Sequence, residues 1–252
     1  MKDFSRKQIT MLEKTLHDKI AAYEAAHKVA IAYGGDGTVL DIVRQTNGKR
    51  PIIPIRNYSC CSTHADFLDK LLDGKLESPL KLTRCPFITF SYNGISDRGI
   101  SEVTLKNADP TSALRFDLSI DGHPHLKNVI SDGLIASTTY GSTGYFKSIS
   151  RTIFSCDGIG IAFIAPTQGI NNLIANLSSN ISITIIRETD AFLTADKVSQ
   201  KVSLKAGDVI EISMADDAVS IFGLSEFHCQ QCRALRHSSY EDGQEIQDMY
   251  AK

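Results

Sequence analysis

Apolar residues Ile9, Leu12, Leu16, Ile20 and Tyr23 recur at helical spacing, with Lys, Glu and Asp between them, and predict a helix over residues 3–27. Residues 29–33 form an unbroken apolar run that predicts a buried strand. Helical character returns at Val39-Leu40-Asp41-Ile42-Val43-Arg44, with Asn47-Gly48 as a stop. Pro51-Ile52-Ile53-Pro54-Ile55 reads as a second short strand, and residues 63–73 as a further helix ended by Asp73-Gly74. The β–α–β–α order predicts a small parallel sheet flanked by helices.

After about Pro79 the period changes. Short strands are expected at 87–92, 103–106, 114–120, 133–137, 159–164, 181–186, 201–204, 209–213 and 218–222. Turn signals such as Asn93-Gly94, Asp121-Gly122, Asp157-Gly158 and Ala206-Gly207-Asp208 separate many of them. The expected organisation is an α/β domain over 1–78, a β-rich domain over 79–224, and a polar tail over 225–252 that packs back on the α/β domain. No internal repeat or low-complexity tract is present.

Composition adds exclusions. The 252 residues are 42% hydrophobic and 22% charged, the balance of a globular chain. A formal net charge of −2 argues against nucleic acid as partner. No apolar run reaches bilayer length, and the first residues are charged, so a cytoplasmic protein without membrane contact is expected. Six cysteines, Cys60, Cys61, Cys85, Cys156, Cys229 and Cys232, are expected as thiols. His228-Cys229-x-x-Cys232, with His237 nearby, looks like half a zinc site, but no second Cys pair completes it, so no protein-held metal is expected.

The chemistry concentrates in two stretches. Tyr33-Gly34-Gly35-Asp36-Gly37-Thr38 follows the first strand directly. Glycines let the backbone approach a ligand closely, and amides at a turn and helix start bind phosphate oxygens. A carboxylate among such amides opposes the ligand's charge, and one chemical reason for it is to accept a proton from a nucleophilic hydroxyl. The plainer alternative is a carboxylate that caps the next helix. Residues 131–148 form the second stretch, where Asp132-Gly133 opens a strand. Ser137, Thr138, Thr139, Tyr140, Ser142, Thr143 and Tyr145 then follow, interrupted only by Gly141 and Gly144. So many hydroxyls suit ribose and amide groups, and the alternative is a solvated Ser/Thr turn.

Gly34-Gly35-Asp36-Gly37-Thr38 resembles the superfamily of NAD kinases and the lipid kinases for diacylglycerol and sphingosine. The segment from Asp132 to Tyr145 resembles the NAD kinase family specifically, and the resemblance runs from about Val29 to Ser213. It implies an α/β N-terminal domain, a β-sandwich-like C-terminal domain, a site between them, and a homodimer or homotetramer. The implied reaction moves the terminal phosphate of ATP, or of polyphosphate, to the adenosine ribose 2′-hydroxyl of NAD, with Mg²⁺ or another divalent cation. By the same resemblance Asp36 is the general base, and Gly34, Gly35, Gly37 and Thr38 hold phosphates. Ser142, Thr143, Gly144, Tyr145 and Ser148 match the segment around NAD, Asp132 an acidic NAD contact, Glu102 the second residue of an Asn-Glu pair, and Asp196 an Asp near the ligand. Glu102 and Asp196 read equally well as exposed strand or turn carboxylates.

The chain departs from that family around the pocket. Ser101-Glu102 stands for Asn-Glu, Thr138-Thr139-Tyr140 for Thr-Pro-Thr, and Gly144 for an alanine. Arg56-Asn57-Tyr58-Ser59-Cys60-Cys61 replaces a glycine-rich stretch, and Ile149-Ser150-Arg151 a Gly-Gly. These departures keep two alternatives open: a non-catalytic NAD(P)-binding regulatory protein, and a kinase for another nucleoside or lipid hydroxyl.

Overall fold

The computed structural model describes residues 6–56 and 66–228. The chain divides into two compact units, Met1–Arg84 with Ser220–Lys252, and Cys85–Val219.

In the first unit, helix α1 (Arg6–His27) leads into strand β1 (Ala30–Tyr33), helix α2 (Asp36–Thr46), strand β2 (Ile52–Ile55) and helix α3 (Phe67–Leu72). Strands β1 and β2 pair in parallel, Ala30 opposite Ile52. Both are apolar without alternation because both faces are covered. Val29, Ile31, Ile53, Ile55 and Leu71 form the core, with Ile20, Tyr23, Leu80 and Phe222 packed against it. The stop at Asn47-Gly48 is a left-handed cap: Asn47 has φ +50°, and the Gly48 amide reaches the Val43 carbonyl at 2.9 Å.

Strand β3 (Leu82–Tyr92) enters the second unit. It is followed by β4 (Ile95–Gly99), β5 (Glu102–Asn107), β6 (Leu114–Ile120), β7 (His123–Ser131) and β8 (Gly133–Ser137). A 3₁₀ turn at Gly141–Thr143 and helix α4 (Tyr145–Ser150) lead to β9 (Ile159–Ile164), β10 (Leu173–Ala175), β11 (Ile181–Ile185), β12 (Thr189–Ala195), β13 (Val198–Leu204) and β14 (Val209–Phe222). Helix α5 (Leu224–Phe227) closes the described chain in the first unit, where Ile221 of β14 pairs in parallel with Ile52.

The second unit is a β-sandwich. One sheet runs β14-β11-β6-β7, the other β10-β9-β8-β5-β12-β13. Their inner faces meet in one core that includes Phe90, Leu105, Phe116, Leu134, Phe163, Ile183, Leu193 and Ile212. Antiparallel pairing with one face inward produces the apolar–polar alternation of β6 and β11.

Several elements differ from the sequence reading. Residues 209–213 and 218–222 belong to one long strand, whose middle is polar because Asp216 and Asp217 face solvent. Strands β4, β7, β10 and β12 were not expected; β7 and β4 carry few apolar residues because they lie at exposed edges. Strand β12 hides its alternation by pointing Phe192 outward and two alanines inward. The reading of Cys60-Cys61 and of Cys229, Cys232 and His237 lies outside the described residues. Cys85 is a buried free thiol whose burial pushes its pKa up to about 12, and Cys156 is an exposed free thiol. Among the described residues no helix is long and apolar enough to cross a membrane.

Phe116 is fully buried, and its ring stacks 6.4 Å from that of Phe163 across the sandwich. Phe116→Ala is expected to lower unfolding free energy by about 3–5 kcal/mol, read as a fall in the urea midpoint at unchanged slope.

Candidate active site

The glycine turn joins β1 to α2. The Gly34 amide donates to the Ile55 carbonyl at 2.8 Å, and the Thr38 amide to the Gly35 carbonyl at 3.0 Å. A Cβ on Gly34 would fall 2.2 Å from Thr38 Oγ1, so only glycine fits where the threonine side chain folds back over the turn. Gly35 is the N-cap of α2 and Asp36 its first residue, where the helix dipole favours a negative charge. The first turn of a helix also presents amides that bind anions.

The Asp36 side chain is 41% exposed and is met by two nitrogen groups. His228 Nε2 lies 2.7 Å from Oδ1, and Arg56 Nη2 lies 3.5 Å from Oδ2. Arg56, just past β2, is 2% exposed. Its guanidinium sits 3.8 Å from the centre of the Phe227 ring, and its Nε donates to the Phe227 carbonyl at 3.3 Å. A Cβ on Gly35 would come within 3.7 Å of Arg56 Nη1, so the turn rests directly on the buried cation. Asp36 is the first residue of α2, one position past the N-cap Gly35, and its carboxylate meets Arg56 and His228.

Sequence reasoning missed both nitrogen partners. Arg56 figured only as the start of a remodelled stretch, and His228 as part of a half zinc site. Among the described residues no cluster of three or more His, Cys, Asp or Glu side chains that could hold a metal forms. No local pattern marks Arg56 and His228, because they meet Asp36 across sequence separations of 20 and 192.

The second unit gathers another group. Asp196 sits at the β12–β13 hairpin with φ +51°. Its carboxylate accepts from the amides of Ile100 (2.9 Å), Ser101 (2.8 Å) and Glu102 (3.1 Å). It is thus a turn carboxylate that fixes the backbone of the segment carrying Glu102. Glu102 opens β5, and Ser101 Oγ lies 3.2 Å from its Oε2. Burial, the largest effect, and the Asp196 charge together push the Glu102 pKa up to about 7, against the opposing Ser101 hydrogen bond.

The hydroxyl-rich loop lies against this segment. The Thr138 amide donates to the Ser101 carbonyl at 2.9 Å. A Cβ on Gly141 would fall 2.1 Å from that same carbonyl oxygen, and one on Gly144 would fall 3.8 Å from Glu102 Oε2. Gly144 therefore lies beside the Glu102 carboxylate, and Thr143, Gly144 and Ser148 are exposed. Ser142 is turned inward: it is buried, and its hydroxyl donates to the Thr139 and Phe154 carbonyls at 2.8 and 3.0 Å. Asp132 is exposed at the far end of β8 from Ser137, the residue opposite Glu102. At the strand rise this is roughly 16 Å away, so the chain does not bring Asp132 to the Glu102 group.

Glu102 carries a stability consequence. Its folded pKa of about 7 exceeds the ordinary 4.5, so the folded state binds the proton more tightly than the unfolded chain. That stabilisation is complete below pH 4.5 and is lost as pH rises through about 7. Glu102→Gln is expected to remove this decline, up to ~3 kcal/mol, from urea unfolding curves recorded between pH 4.5 and 7.5.

Comparison with known proteins converges on one family. The family profile of the ATP-NAD kinase C-terminal domain matches residues 100–223. An NAD kinase of Thermoplasma volcanium is 27% identical over 216 residues, 81% of this chain and 76% of the relative. NAD kinase 2 of Bacillus licheniformis is 25% identical over 227 residues, 87% of this chain and 81% of the relative. In fold, the chain is similar to yeast NADH kinase complexed with NADH (TM-score 0.67, 20% identity), covering 83% of this chain and 64% of that one. It is also similar to an NAD kinase from Archaeoglobus fulgidus in complex with ATP (TM-score 0.64, 20% identity), covering 82% and 83%. Over residues 100–223 in its sequence match, and in its two-unit fold, the chain is similar to NAD kinases.

Proposed function

We propose that this protein transfers the terminal phosphate of ATP, or of polyphosphate, to the adenosine ribose 2′-hydroxyl of NAD. The bond from the terminal phosphorus to the donor's bridging oxygen breaks, a bond to the 2′-oxygen forms, and the hydroxyl proton passes to Asp36. The observation that carries this reading is the half-exposed Asp36 carboxylate at the start of α2, inside a glycine turn suited to phosphate. Phosphoryl transfer asks mainly for positioning and charge stabilisation, with one group to orient and deprotonate the nucleophile. Relatives named as NAD kinases, and neighbours of the same fold complexed with NADH and with ATP, support the choice of acceptor and donor.

Glu102, Thr143, Gly144, Tyr145 and Ser148 are the group proposed to recognise the dinucleotide. Asp196 serves by fixing the Glu102 backbone, and Ser142 by fixing the loop. Asp132 remains a proposed contact from the far end of β8. Mg²⁺ travels with the donor phosphates in this reading: a divalent cation held by one or two carboxylates and the nucleotide needs no protein cage. It supplies neutralisation of phosphate charge. The reading carries with it a homodimer or homotetramer in the cytoplasm.

The test is incubation of purified protein with NAD, Mg²⁺ and either ATP or polyphosphate, followed by assay of NADP. NADP formation is expected with at least one donor. Asp36→Asn is expected to lower kcat by about 10²–10⁴-fold while NAD binding, measured by calorimetry, persists. Saturable NAD binding without turnover for the unmodified protein would favour the regulatory reading instead.

A further inference from the structure

We infer that His228 is a positioning residue for Asp36, so that the last described segment of the chain is part of the phosphoryl-transfer site. This rests on the proposed kinase reading, which makes Asp36 the base. An aspartate that is 41% exposed has several rotamers open to it, and a base must hold one orientation toward the incoming hydroxyl. His228 supplies the constraint, with Nε2 at 2.7 Å from Oδ1. An ionised carboxylate offers only acceptors, so Nε2 carries the hydrogen and donates it. Arg56 faces the other oxygen at 3.5 Å, a looser contact. Oδ1 is therefore pinned by the shorter contact, and with it the orientation of the whole carboxylate.

The histidine is itself held. Gly223, with φ +73°, turns the chain after β14, and its amide donates to the Lys81 carbonyl at 3.0 Å. The Phe227 and His228 amides donate to the Gly223 and Leu224 carbonyls, each at 3.0 Å. Phe227 is 1% exposed and carries the Arg56 guanidinium on its ring. A four-residue helix of this kind has little stability of its own. Its anchors lie in the same unit as Asp36, and together they deliver the imidazole to one carboxylate oxygen.

The arrangement also accounts for a carboxylate in a phosphate-binding turn. Donors on both oxygens offset its charge, and its proton-accepting role survives because loose phosphoryl-transfer transition states ask little base strength. Orientation is then the larger contribution, and orientation is what His228 provides.

Two sets of variants test this. His228→Phe keeps a ring and removes the donor; His228→Gln keeps an N–H donor. In the NADP assay, His228→Phe is expected to lose about 10–100-fold in kcat with KM for NAD within about twofold, and His228→Gln to recover most of the loss. Circular-dichroism melts establish that each variant is folded. Equal losses in both variants, or kcat of His228→Phe within about twofold of the unmodified protein, would overturn the inference. A readout independent of turnover is the double-mutant cycle of Asp36→Ala and His228→Phe in urea unfolding. A coupling of about fivefold or more in the unfolding equilibrium constant, ~1 kcal/mol, is expected, and additivity overturns the pairing. If the unmodified protein forms no NADP, the kinase reading fails, and the cycle alone decides whether His228 holds Asp36.

Discussion

The Arg56 guanidinium is almost wholly removed from water, and a buried cation is tolerated only where its neighbours replace its hydration. Three neighbours do so: the face of Phe227, the Phe227 carbonyl and the Asp36 carboxylate. They come from two distant residues, Asp36 and Phe227. One cation thus ties the end of β2 to the glycine turn and to the segment after β14. Loss of one neighbour would leave a charge uncompensated, which is why the arrangement behaves as a unit rather than as separate contacts. The turn needs glycine at position 34 because Thr38 occupies the space beside its α-carbon.

The two units treat their carboxylates in opposite ways. Asp36 faces solvent and nitrogen donors. Glu102 is buried beside Asp196 and a hydroxyl, and its proton is retained to about pH 7. Asp196 spends its oxygens on three backbone amides and so serves the geometry of the segment next to it. Three acids that look alike in sequence therefore divide into one half-exposed to solvent, one that titrates near neutrality, and one that is structural.

Much of the fold was legible. Strands β6, β8 and β9 follow the apolar pattern residue for residue, because one or both faces are sealed in the sandwich. Strand β7 was not legible, since most of its residues point to water at a sheet edge. Strand β12 was hidden by an outward Phe192 and inward alanines, which invert the usual contrast. The candidate site followed the same rule. Gly34 to Thr38 and Asp132 to Ser148 are contiguous motifs with a local physical meaning. Arg56 and His228 become meaningful only through tertiary contact, and the inward turn of Ser142 is read only from its two carbonyl partners.

The first unit is assembled from both ends of the chain, with the whole sandwich inserted between Arg84 and Ser220. On a ribosome, β1, α2 and Arg56 emerge early, but His228, which meets Asp36, and Phe227, which meets Arg56, do not yet exist. At ordinary elongation rates the insert alone takes on the order of ten seconds to synthesise. During that interval Arg56 has neither the Phe227 ring nor its carbonyl to sit against, and β14, which pairs with β11 in the sandwich, is made only at its end. The contacts of Arg56 with Phe227, and of Asp36 with His228, therefore form only after the whole insert has been made.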